Sequence, residues 1–230
     1  MSSVSVTVDL AIFTVRHSEL QVLLITRAKE PFRGRLALPG GYVRDTEPLD
    51  VAALRKLSNE TGVNGKQLHL EQMRTYGDPG RDPRGRVITV AYLALGPDMP
   101  EPPDVTQDAH WAPVETTLSA PAELAFDHSV ILREALEKAR AELEYSTVAA
   151  AFCPTPFTVG DLHRIYEAVW GLRLDPSNFR RKVTRAKDFI VATGERRVSE
   201  PGRPAALYRR GPASLLHPPL LRAGDVTRVQ

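Results

Sequence analysis

Hydrophobic positions divide the chain into stretches of two different periods. Val4–Leu10, Ala11–Val15 and Gln21–Thr26 alternate or run apolar with β-branched residues, and His17-Ser18-Glu19 supplies a polar turn between the last two. The chain is therefore expected to open as antiparallel β-structure. From Pro48 to Thr61 the period changes: Leu49, Ala53 and Leu57 recur at helical spacing, proline is tolerated in a first helical turn, and Gly62 follows the last periodic residue. Arg86–Leu95, RVITVAYLAL, reads as a buried strand, and Asp127 is placed to cap a helix over His128–Tyr145. Strands and helices thus mix through residues 1–148, which predicts an α/β (α+β) domain.

A second pattern begins after a break. Ser146–Pro156, STVAAAFCPTP, loses the helical period and carries two prolines, so 149–156 is expected to be a linker. Thr158 and Asp161 then have the spacing of a capping box, and Val159, Leu162, Ile165, Tyr166 and Val169 mark one helical face. After GLRLD, Asp175 is the expected N-cap and Pro176 the first residue of a second helix, with Phe179, Val183 and Ala186 inward through about Lys187. Phe189–Thr193 and Ala206–Arg209 read as strands flanking GERRVSEPGRP. Helix, short turn, helix and a hairpin with a basic tip is the order of a winged helix-turn-helix, here over 157–212. Residues 213–230 show no period and are expected to be a loosely held tail.

Charge sharpens this division. The net charge of +2 conceals 16 Lys/Arg against 21 Asp/Glu through Ala150, a balance of −5, and 14 against 7 beyond it, a balance of +7. An acidic domain joined to a basic one suggests a polyanionic partner for the second. With 42% hydrophobic and 25% charged residues the composition is globular, which excludes disordered and collagen-like classes. One cysteine, Cys153, closes no intrachain disulfide, no apolar run is long enough to span a bilayer, and MSSVSVTVDL lacks the features of an export signal. The expectation is a cytoplasmic protein with no membrane partner.

Gly41–Val63, GYVRDTEPLDVAALRKLSNETGV, follows LALPG and resembles the Nudix box at Gly41, Glu47, Arg55, Leu57, Glu60, Gly62 and Val63. The resemblance implies the Nudix fold, an α/β/α sandwich with a mixed sheet. It fails at two positions, because Lys56 and Asn59 stand where the box has glutamates. Lys56, Asn59 and Glu60 occupy one helix face, the face that in Nudix enzymes carries metal-binding carboxylates. Magnesium takes oxygen donors, and an ammonium offers no lone pair and repels the ion. Neither a metal site nor a set of catalytic residues is therefore expected, and no cofactor is required. The Lys56 ammonium is instead expected to meet a diphosphate directly, with Glu47 and Arg55 either near the ligand or simply paired to each other. Arg27, Phe32, Arg33, Arg35, Arg81 and Arg84, together with Arg86, supply cations and an aromatic ring in flanking loops, while His128 reads as a helix-start residue.

In the second domain, placing Phe179 and Val183 inward leaves Ser177, Asn178, Arg181, Thr184 and Arg185 on the opposite face, residue types that read base edges in a major groove. Arg180, Lys182 and Arg164 suit phosphates, and Arg196, Arg197 and Arg203 lie at the wing.

A degenerate Nudix domain followed by a winged helix resembles the NrtR family of bacterial regulators of NAD metabolism, on the strings LALPGGYV, GDPGRDPRGRVITVAYLAL, LAFDHSVIL, PFTVGDLHRIYEAVWG, DPSNFRRKV and GRPAALYRR. The resemblance implies a homodimeric repressor of NAD synthesis or salvage genes, a palindromic double-stranded DNA operator, and ADP-ribose or a related NAD metabolite as effector. The competing readings are a pyrophosphohydrolase acting on ADP-ribose or a related nucleoside diphosphate derivative, and a non-catalytic scaffold for a protein partner.

Overall fold

The computed structural model describes residues 4–62, 65, 68–102, 109–198 and 204–222. They divide into two units, one comprising the chain through Thr14 together with Leu20–Glu137, the other Val15–Glu19 and the chain from Lys138 onward.

The first unit is built on β1 (Ser5–Arg16), β2 (Glu19–Thr26), β3 (Leu36–Ala37), β4 (Gly40–Tyr42), α1 (Leu49–Thr61), β5 (His69–Tyr76), β6 (Val87–Leu95), β7 (Ala109–Pro113), α2 (Val114–Ser119) and α3 (His128–Tyr145). Its sheet runs β3-β2-β1-β6-β5, with β4 added to β1 and β7 to β2. β1 and β6 pair in parallel, from Ser5↔Val87 to Phe13↔Leu95, while β4, β7, β3 and β5 pair antiparallel to their neighbours, which makes the sheet mixed. Such central strands are covered on both faces, and β1 is buried without interruption from Thr7 to Thr14. That is why Val4–Leu10 and Ala11–Val15 form one strand rather than two, as no glycine or proline breaks the run. On one face Val8, Leu10 and Ile12 pack with Ala52, Ala53 and Leu57 of α1, and truncating the fully buried Leu57 to alanine costs about 2–5 kcal/mol. On the other, Asp9 approaches His128 at the start of α3. Helix, mixed sheet and helix give the α/β/α sandwich.

The second unit contains β8 (Phe157–Thr158), α4 (Val159–Trp170), α5 (Pro176–Arg185), β9 (Ile190–Arg197) and β10 (Ala205–Arg210), with a three-stranded sheet ordered β8-β10-β9. The capping box forms as the sequence predicts: Asp161 N–H donates to Thr158 Oγ1 at 3.0 Å, and Thr158 N–H to Asp161 Oδ2 at 2.7 Å. Asp175 caps α5 by accepting from Asn178 N–H at 2.7 Å. Tyr166 is fully buried and meets the rings of Trp170 at 4.8 Å and Phe179 at 5.1 Å, which ties α4 to α5. Trp170 and Phe157 are core residues.

Two expectations about the connections need correction. The linker assigned to 149–156 begins instead as a short 3₁₀ turn, Val148–Phe152, whose apolar VAAAF sequence buries Val148, Ala149, Ala150 and Phe152 in the second unit. The tail is docked as far as Arg222: Leu216 and Leu220 are buried and their amides donate to the carbonyls of Tyr145 and Glu144 at 2.8 and 2.9 Å. Two leucines supply the anchoring that a search for periodicity misses. Residues 223–230 of that tail lie outside the described residues.

Candidate functional site

A cleft of about 110 Å³ opens in the first unit over β1 and β4, lined by residues that include Asp9, Arg27, Gly40, Gly41, Tyr42, Arg81, Asp82, Arg84, Phe126 and His128. Strand pairing positions its floor, since Asp9 lies opposite Gly40 and Val8 opposite Gly41. Neither glycine has room for more. A Cβ on Gly40 would fall 2.1 Å from Asp9 Oδ1 and 2.6 Å from the Val8 carbonyl oxygen, and one on Gly41 would fall 2.7 Å from Lys56 Cε. Lys56 therefore lies against Gly41 on the α1 face of the sheet, the face of Val8, and is not among the residues that line the cleft, contrary to the expectation from sequence.

The arginines of the cleft are braced from behind. Arg81, only 5% exposed, donates through Nε and Nη2 to the Asp127 carboxylate at 2.8 and 2.6 Å. Burial opposes its charge, but the bonds to Asp127 and the charges of Asp127, Asp9 and Asp82 prevail and raise its pKa. This pairing replaces the capping role expected of the Asp127 side chain. Arg84 closes on Asp82 with Nη2–Oδ2 at 2.5 Å, which raises the arginine pKa, and its guanidinium lies 5.5 Å from the Tyr42 and Phe126 ring centres. Asp82 is buried, which opposes its charge, yet its bonds from Arg84 hold its pKa below the usual carboxylate value. Arg27 lies 4.6 Å over the Phe126 ring and donates to the Pro31 carbonyl at 2.9 Å; burial first, and the Arg84 charge second, lower its pKa. His128 is buried and accepts at Nδ1 from Leu38 N–H at 2.9 Å, and burial pushes its pKa down.

The effector residues expected from sequence thus separate into groups. Arg27, Gly41, Arg81 and Arg84 line the cleft, and Phe32 packs edge-on against Phe126 at 4.8 Å. The others do not line it. Glu47 and Arg55 pair with each other, Arg55 Nε donating to Glu47 Oε2 at 2.9 Å, and that bond above all lowers the Glu47 pKa to about 2. Arg35 reaches the Ala122 carbonyl, Arg86 the Gly77 carbonyl, and Arg33 is exposed. Asn59 is exposed and Glu60 half-buried on α1, where burial raises the Glu60 pKa against the opposing Lys56 charge. Among the described residues no group of three or more His, Cys, Asp or Glu side chains is placed to hold a metal ion. On α1, Lys56 offers a divalent cation no lone pair and repels it. Sequence reasoning missed Asp9, Asp82, Tyr42 and Phe126. A lone carboxylate inside the apolar run VTVDLAIF was a visible signal for Asp9.

In the second unit, α5 turns Phe179 and Val183 inward and exposes Ser177, Arg180, Arg181, Thr184 and Arg185, with Asn178 and Lys182 half-buried. Arg181 Nη2 donates to Asn178 Oδ1 at 2.5 Å. Among the described residues no carboxylate pairs with Arg180, Arg181 or Arg185. Arg180 and Arg196 together line a cleft of about 390 Å³ with Pro204, Ala205 and Ala206. Arg164 and Arg197 are placed differently from the free cations expected, because both donate to Asp161, at 2.5 and 2.9 Å, beside the capping box. Arg203 lies outside the described residues.

Residues 6–135 match the NUDIX domain family and residues 149–210 the NrtR DNA-binding winged helix domain. The chain belongs to the Nudix family, in the NrtR group that joins this domain to a winged helix. Over 207 residues it is 35% identical to the ADPR responsive transcriptional repressor NtrR of Acinetobacter baylyi, covering 88% of this chain and 80% of that protein. NrtR of Shewanella oneidensis, solved in complex with a 27mer DNA, is 34% identical, covers 94% of this chain and 99% of its own, and superposes with a TM-score of 0.79. The NUDIX domain of the same protein, solved with ADP ribose, is 35% identical over 60% of this chain and 90% of its own, with a TM-score of 0.51. No helix among the described residues is long and apolar enough to cross a membrane.

Proposed function

We propose that this protein is a cytoplasmic, homodimeric transcriptional repressor of NAD synthesis or salvage genes that binds a palindromic operator through α5 and the wing, and whose operator affinity responds to ADP-ribose bound in the cleft of the first unit. The observation that carries this reading is the exposed face of α5, where Arg181 and Arg185 stand with Ser177 and Thr184 and no paired carboxylate, on a helix of the size that enters a major groove. The relatives named for ADPR response, DNA and ADP ribose support it.

Lys56 takes the place of the metal. Its side chain lies against Gly41, a residue of the cleft, and an ammonium there can meet a diphosphate as a point charge. Binding then proceeds without turnover, because Lys56 and Asn59 stand where the box has glutamates and leave too few carboxylates to hold the ion that would activate water. Multiple turnovers of ADP-ribose with Mg²⁺ or Mn²⁺, at an ordinary rate of about 1 s⁻¹, would instead favour the hydrolase. A mobility shift on an inverted-repeat operator, with and without ADP-ribose, tests the main reading. Ligand changes operator affinity only if it prefers one dimer arrangement to the other, since equal affinity shifts nothing.

A further inference from the structure

Successive residues of a helix turn by about 100°, so Arg180 and Lys182 leave α5 to either side of Arg181, and the face that carries Arg181 and Arg185 has two flanks. The wing borders the first, where Arg180 and Arg196 line one cleft. The docked tail borders the second, and it lies beyond residue 210, where the match to the winged helix domain ends. A groove of about 210 Å³ separates tail and helix, with Arg181, Lys182 and Arg185 on the α5 side and Pro218, Pro219 and Leu220 on the other.

The tail is fastened before and after this groove. Thr147 Oγ1 donates to the Ala213 carbonyl at 2.7 Å, the Leu216 and Leu220 amides donate to the Tyr145 and Glu144 carbonyls, and Arg222 Nε donates to Glu144 Oε1 at 2.6 Å. Between the buried anchors Leu216 and Leu220, His217 and Pro218 stay exposed. No carboxylate lines the groove, and that of Glu144 is taken by Arg222. Three cations facing two prolines and a leucine suit an occupant that alternates negative charge with apolar surface. A DNA strand does so, with phosphates separated by the C–H faces of its sugars. A helix in a major groove about 12 Å wide has one backbone on each side, and each flank of α5 offers a cleft.

We infer that the docked tail, through Pro218–Leu220, forms with α5 a seat for the sugar-phosphate backbone of one operator strand, on the flank opposite the wing. This inference rests on the proposed entry of α5 into the groove. Lys182 and Arg185 meet the phosphate, the prolines and Leu220 pack against the sugar, and the anchored tail fixes how far α5 sits from that strand.

Titration of an inverted-repeat operator with the full chain at several salt concentrations tests it. Pro219→Glu puts a negative charge beside the phosphate and should weaken binding about 5-fold or more. Pro219→Lys should tighten binding and steepen the salt slope by about one. Affinity and salt slope unchanged in both folded variants, while Arg181→Ala still loses binding, overturn the role of the tail alone. Unchanged operator binding with an altered sedimentation coefficient puts a second copy of the chain in the groove instead and overturns it too. Failure of the unaltered protein to bind any DNA overturns the reading of α5 as well. Should the Pro219 variants not fold, operators carrying a neutral methylphosphonate at single positions decide the matter with the unaltered protein. Sensitive phosphates are expected on both strands beside the groove that α5 enters, and sensitivity confined to the strand on the wing side overturns the seat.

Discussion

In the cleft of the first unit Arg81 and Arg84 each grip a carboxylate, Asp127 and Asp82, and present what remains of their guanidinium surfaces to the cavity. On α5, Arg181 and Arg185 extend into solvent with no acidic partner among the described residues. The residue type is the same and the work is opposite. In the cleft the charges are already balanced within the protein, so the arginines hold loops in place and shape a site for a small, oriented ligand. On the helix the charge is unspent and suits a long polyanion, whose bound counterions are released on contact. The comparison shows that counting arginines near a motif says little about recognition until their carboxylate partners are known.

The largest expected effect comes from removing a braced arginine. Arg81→Ala leaves the buried Asp9 and the half-buried Asp127 without their cation and should cost about 3–5 kcal/mol in denaturant unfolding, whereas Arg185→Ala should stay within about 0.5 kcal/mol of the unaltered protein. Equal stabilities for the two variants would erase the distinction. The order reverses on DNA: Arg181→Ala or Arg185→Ala should lose about 1–3 kcal/mol of operator binding and relax preference at particular base pairs. Arg180→Ala should act more evenly across sequences and reduce the salt slope by about one. Unchanged affinity and preference in both the Arg181 and Arg185 variants would mean that another face of α5 enters the groove.

Lys56→Glu reverses the ammonium that lies against Gly41. ADP-ribose binding in EDTA should weaken by about 10-fold while operator binding without ligand is unchanged. Binding as tight as that of the unaltered protein would remove the ammonium from the account. The smallest effect is in the acid range. Because Arg55 depresses the Glu47 carboxyl to a pKa of about 2 from a usual value of 4.5, the pair contributes stability above pH 4.5 that is lost as pH falls toward 2. Unfolding of Glu47→Gln across that interval should show a shallower acid dependence, and an unaltered dependence would show that the pair carries none of it.

Where the chain was locally periodic or capped, the sequence was a sufficient guide. The His128–Tyr145 and Leu49–Thr61 helices, the capping box of Thr158 and Asp161, and the inward Phe179 and Val183 follow from spacing alone. Strand β5, short strands β3 and β4, and β7 with helix α2 were not legible, because short or half-exposed strands owe their place to neighbours distant in the chain. The same reason divides the candidate site. Arg27, Arg81 and Arg84 lie near recognisable strings, but that Asp9, Asp82, Phe126 and His128 join them depends on the pairing of β1 with β4 and on where α3 begins. Glu47 and Arg55 belong to the box yet turn to each other, a choice that spacing permitted without deciding.

The central claim is that one chain couples a nucleotide cleft to a DNA-reading helix. The direct test is titration of an inverted-repeat operator with the full chain in EDTA, with and without saturating ADP-ribose, at fixed salt. The account predicts dimeric, salt-dependent binding whose affinity changes by roughly 5- to 150-fold when ligand is present. Operator affinity that is identical with and without saturating ADP-ribose would contradict it.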